Sequence, residues 1–81
     1  MDDEYKRMRW ASRRGMLELD LVLGPFIEDG YARLDAAGRA AYRALMTRED
    51  QELYAWLLRG VSPEDARLRD VVDAIRSSRD P

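Results

Sequence analysis

Apolar residues recur along the chain at steps of three and four, and no segment alternates apolar with polar long enough to make a strand, so the pattern predicts an all-α, compact five-helix bundle. The strongest stripe is Leu19, Val22, Leu23, Phe26 and Ile27, which predicts a core helix over about 16–31. Pro25 interrupts it. A proline inside a helix lacks the N–H that would bond the carbonyl of Leu21, so a kink or break after Gly24 is expected. Before the core helix, residues 3–14 predict a first helix, with Tyr5, Met8 and Ala11 on one side and Lys6, Arg9 and Arg13 along another, ended by Gly15. Asp35 reads as the N-cap of a third helix carrying Ala37, Ala41, Ala44 and Leu45. Asp50 reads as the cap of a fourth, with Leu53, Trp56 and Leu57 inward and Gly60 as its stop. In "SPED", Ser62 is the expected N-cap, Pro63 the first helical residue and Asp65 the third position of a fifth helix, whose buried stripe is Leu68, Val71, Val72 and Ile75. "SSRDP" reads as a fraying tail.

Length and charge narrow what such a bundle does. Eighty-one residues make one small domain, 1–81, that buries about 60% of the surface its unfolded chain exposes, so it has room for one modest core. The net charge of −2 and pI near 5.1 argue against a nucleic-acid partner and against a helix-turn-helix reading of the Lys6–Arg14 stripe, because such domains carry a positive excess. No run of about 18 apolar residues occurs, so no membrane insertion is expected and the chain reads as cytoplasmic.

With neither histidine nor cysteine, the chain lacks the usual proton shuttle, thiolate nucleophile and commonest metal ligands, and no phosphate-cradling glycine loop or calcium-loop pattern replaces them. It reads as no enzyme, binding no metal. The chemistry it offers lies in "RRGMLELD", Arg13 to Asp20. Local structure accounts for the spacing by itself. Gly15 as an N-cap puts Glu18 at the third helical position, and a continuous helix would instead pair Arg14 with Glu18 at i and i+4. The functional reading makes Gly15 an exposed tip to which another surface can come close, flanked by arginines suited to bidentate bonds with carboxylates or phosphates. Trp56 reads as core, whereas Trp10, on a helix poor in large apolar residues, is equally suited to anchor an interface.

The block W-A-S-R-R-G-M-L-E-L-D resembles the small flavin-assembly factors of succinate dehydrogenase, whose hallmark R-G-x-x-E is here Arg14, Gly15 and Glu18. The resemblance extends to Trp10, Arg13, Met16, Leu19 and Asp20, continues through Pro25, Phe26 and "DQELYAWLLRG", and covers nearly the whole chain; Ser12 stands where many relatives have cysteine. It implies a five-helix monomer that binds the flavoprotein subunit of succinate dehydrogenase, or of fumarate reductase, and promotes covalent attachment of FAD to a histidine of that client. FAD would not be stably bound by the helper itself. By carry-over Gly15 approaches the client, Arg14 and Glu18 make polar contacts there, and Arg13 and Asp20 support them, with Trp10 an anchor beside them. A competing role, also attached to members of this family, is that of a small antitoxin-like binder that blocks another protein.

Overall fold

Leu19, Val22, Leu23, Phe26 and Ile27 all turn inward in the computed structural model of the protein, which describes residues 3–78. Helix α1 spans Asp3–Ala11, α2 Leu17–Pro25, α3 Ala36–Leu45, α4 Asp50–Leu58 and α5 Ala66–Ser78. Helix α3 packs on α5 and α2 on α4, around a single core that also takes in Tyr31, Tyr42, Leu45, Leu53, Trp56 and the four stripe residues of α5. Each fully buried leucine contributes about 1.5–3 kcal/mol.

Of the kink or break expected after Gly24, the break does not occur; the helix changes type instead. The chain stays helical past the proline, widening into one π-helical turn over Phe26–Gly30 and then tightening into a 3₁₀ turn over Tyr31–Arg33. The N–H of Phe26 reaches back to Leu23 O and that of Tyr31 to Phe26 O, so spacings of three and five residues absorb the bond that Pro25 cannot make. This keeps Phe26 and Tyr31 in the core. There Phe26 stacks on Tyr42 with centroids 5.7 Å apart, and Tyr31 meets Tyr42 edge-on at 5.4 Å.

Several helix ends differ from expectation, each because a side chain finds a better acceptor or donor. Helix α1 ends at Ala11 rather than at 14, since the N–H of Arg13 turns back to Trp10 O and the Arg14 side chain takes up the Ala11 carbonyl. Asp35 caps α3 as expected, its Oδ1 accepting from Gly38 N–H at 2.7 Å. Asp50 does not cap α4. It is the first helical residue; Glu49 holds the cap, in a capping box where the Glu52 carboxylate accepts from Glu49 N–H at 3.2 Å, while the Asp50 carboxylate is drawn to Arg14. Gly60 does close α4, at φ +78°. Helix α5 starts four residues after Ser62, because Pro63 is buried and the Asp65 carboxylate, accepting from Arg67 N–H at 2.9 Å, takes the capping role assigned to Ser62. Of the expected tail, Ser77 and Ser78 belong to α5, and 79–81 lie outside the described residues.

Candidate functional site

Between the end of α1 and the start of α2 the chain makes a short bend centred on Gly15, at φ +81°. That conformation costs an L-residue about 1–2 kcal/mol, so glycine is the residue the bend requires. It is neither the stop of α1 nor the cap of α2. Met16, extended at φ −110° and ψ 116°, is the N-cap and offers no side-chain bond, so Glu18 stands at the second helical position. The reciprocal bond expected of Glu18 is made by Asp20, whose Oδ1 accepts the N–H of Arg14 at 2.8 Å and ties the segment before the bend to the first turn of α2. Glu18 itself is exposed, and its carboxylate makes no side-chain hydrogen bond or ion pair among the described residues, so it can add its charge to the positive end of α2 and to whatever meets that end.

Arg14 points the other way. Its side chain is only 16% exposed, and its guanidinium donates through Nε to Asp50 Oδ1 at 2.8 Å, through Nη1 to Ala11 O and Met46 O at 3.0 Å each, and through Nη2 to Arg48 O at 3.0 Å. Three of these acceptors are carbonyls at or just past the ends of α1 and α3, where helices leave their last carbonyls without internal partners. One planar fork thus joins α1, the α3–α4 connection and α4 behind the bend. Beside it Ser12, buried, lies 2.5 Å from the Tyr42 hydroxyl and donates to Met8 O at 2.7 Å. Burial pushes the Tyr42 phenol up to about 12, against the opposing effect of its hydrogen bond with Ser12, and burial followed by the bond to Glu4 does the same for Tyr31.

The outward face of the same region mixes apolar and basic groups. Trp10 is 74% exposed, and Leu17 and Leu21, one turn apart on α2, are 68% and 66% exposed. Arg13 is exposed, and no ion pair among the described residues engages it. Trp10, Arg13 and Asp20 also line a groove of about 540 Å³ between α1 and α2, together with Lys6, Arg9, Gly24 and Glu28. The six residues singled out from the sequence therefore lie around one corner, with Gly15, Glu18, Arg13 and Trp10 turned outward and Arg14 and Asp20 holding the bend. Leu17 and Leu21 were missed, although their place outside the 19-22-23-26-27 stripe was a signal. Asp50 was missed because nothing in sequence links it to Arg14, 36 positions away. The corner offers hydrogen bonds, charge and apolar contact. Among the described residues no group of three or more carboxylates could hold a metal ion.

Against known proteins, the model of the family described as flavinator of succinate dehydrogenase matches residues 6–79. The chain is 47% identical over 74 residues to the FAD assembly factor SdhE of Pseudomonas aeruginosa, covering 91% of this chain and 88% of that protein. It is 40% identical over 69 residues to the protein of the same name from Idiomarina loihiensis, covering 85% and 77%, and 35% identical over 75 residues to that from Pectobacterium atrosepticum, covering 93% and 85%. With a match that spans the helical core and the whole Arg14–Gly15–Glu18 corner, the chain belongs to the succinate dehydrogenase flavinator family.

Proposed function

We propose that this protein is an assembly factor that binds the flavoprotein subunit of succinate dehydrogenase and promotes covalent attachment of FAD to it. Family membership supports the role, and one structural observation carries its mechanism: the bend is braced from inside by Arg14 and Asp20, so that Gly15 and Glu18 present a rigid, exposed corner. The fumarate reductase flavoprotein is a second client of the same kind. The helper acts in the cytoplasm as a monomer, without stably binding FAD.

No residue of this chain forms the bond to flavin. It has neither histidine nor cysteine, the usual protein attachment atoms, so the bond is made by the client's own residue. The helper favours the client conformation in which that residue meets the flavin, and each tenfold preference for that conformation over others shifts its population by about 1.4 kcal/mol. Release follows when the flavinylated client no longer fits the corner. Purified apo-subunit, FAD and this protein form the test, with covalent flavin read by in-gel fluorescence. Wild-type protein is expected to accelerate the reaction at least tenfold and Glu18→Lys to abolish the acceleration with its fold intact; equal rates with and without the wild-type helper would overturn the proposal.

A further inference from the structure

The groove between α1 and α2 is built for more than the corner itself requires. Its basic wall carries Lys6 and Arg9, one turn apart on α1, and Arg13 just past the end of that helix. Trp10 stands among them, largely exposed. On the α2 wall is Gly24, where a Cβ would meet nothing within 4 Å. A glycine before Pro25 also spares the helix a clash between a Cβ and the proline ring, so its local role and its open floor coincide.

The groove's own acids do not satisfy its cations. Asp20 already accepts the N–H of Arg14 at 2.8 Å, and Glu28 approaches Arg9 only at 4.0 Å, both side chains being mostly exposed, a pairing of little worth. Lys6 and Arg13 have no ion pair among the described residues. Three cations beside an aromatic plane and an open floor fit a ligand that brings carboxylates and one apolar side chain together.

We propose that this groove seats an acidic segment of the client flavoprotein, its carboxylates facing Lys6, Arg9 and Arg13 and an apolar side chain entering over Gly24 beside Trp10. The proposal rests on the assembly-factor reading and adds to it a second point of attachment, one that would fix the client's orientation on the Gly15 corner.

The test compares Gly24→Ala with Gly24→Leu. A Cβ at Gly24 meets nothing within 4 Å, and both variants carry whatever that Cβ costs before Pro25, so their melting temperatures are expected to agree within about 2 °C, while only leucine reaches on into the groove. Calorimetric titration of each full-length variant against the apo-subunit is expected to show Gly24→Leu binding at least tenfold more weakly than Gly24→Ala. Arg9→Glu combined with Arg13→Glu is expected to lose at least tenfold and to flatten the salt dependence that carboxylate–cation contacts impose. Equal affinity of the alanine and leucine variants, with binding still lost in Glu18→Lys, overturns the groove and leaves the corner standing. Saturable binding of free FAD or pyrophosphate that the Arg9, Arg13 double variant abolishes, with client affinity unchanged, would identify a phosphate site instead and also overturn it. A wild-type protein that fails to bind the apo-subunit at all overturns both readings.

Discussion

Arg14 Nε donates to Asp50 Oδ1 at 2.8 Å, joining the bend before α2 to the first residue of α4. The same guanidinium satisfies three backbone carbonyls, and its 16% exposure places it in a partly dry setting where hydrogen bonds to a charged group are worth about 1.5–3 kcal/mol. The arginine of the family hallmark thus braces the Gly15 bend from inside. Arg14→Ala is expected to destabilise the fold by about 2–4 kcal/mol in urea unfolding, and Asp50→Asn by about 1 kcal/mol, because the amide oxygen still accepts from Arg14 Nε and only the carboxylate charge is lost. A double-mutant cycle between them should give a coupling of about 0.5–1 kcal/mol. Additive effects would show that the pair does not act as one unit.

Gly15 raises a separate issue, since its backbone and its surface point to different tests. At φ +81° any side chain strains the bend, yet a Cβ there meets nothing within 4 Å, so the cost is conformational and not steric. Gly15→Ala is expected to lose about 1–2 kcal/mol of stability, and Gly15→Asn less, because asparagine tolerates the left-handed region. If the corner docks a client through its backbone, both variants lower flavinylation beyond what their stability explains. Thermal unfolding and initial flavinylation rates at a temperature where all three proteins are folded separate the two effects.

Much of the fold was legible in the sequence because the signals are local. Stripes at three and four, Asp35 before a run of small residues, and Gly60 after Leu58 each act over one or two turns. What misled was also local chemistry, overruled at a distance. Asp50 looked like a cap until Arg14 claimed its carboxylate, and "SPED" looked like a helix start until Pro63 was buried and Asp65 bonded Arg67 N–H. The expected break at Pro25 became a π turn because Phe26, Ile27 and Tyr31 gain more from staying in the core than the helix loses at one missing N–H. The corner itself was readable as a set of residues but not as a division of labour. Arg14 turns inward to carbonyls at or past the ends of other helices and Asp20 to the N–H of Arg14 across the bend, and none of those partners carries a mark in the sequence.

Tyr42 supplies a pH signature of the core on which the corner rests. Fully buried and hydrogen-bonded with Ser12, it is held protonated up to about pH 12, whereas in the unfolded chain a tyrosine ionises near 10. Between those values the unfolded state has given up a proton that the native state keeps, so stability is fully present below pH 10 and falls as pH rises, by about 1.4 kcal/mol per unit for this one group. Tyr31, raised to about 12 by burial and its bond to Glu4, adds to the slope in the same window. Denaturant unfolding is therefore expected to give a flat stability from pH 7 to 9 and a decline from 10 upward. Tyr42→Phe should cost about 0.5–1.5 kcal/mol at pH 7, since Ser12 keeps its bond to Met8 O, and should visibly reduce the alkaline slope. An unchanged slope in that variant would mean that the ring cluster opens before the buried phenol titrates.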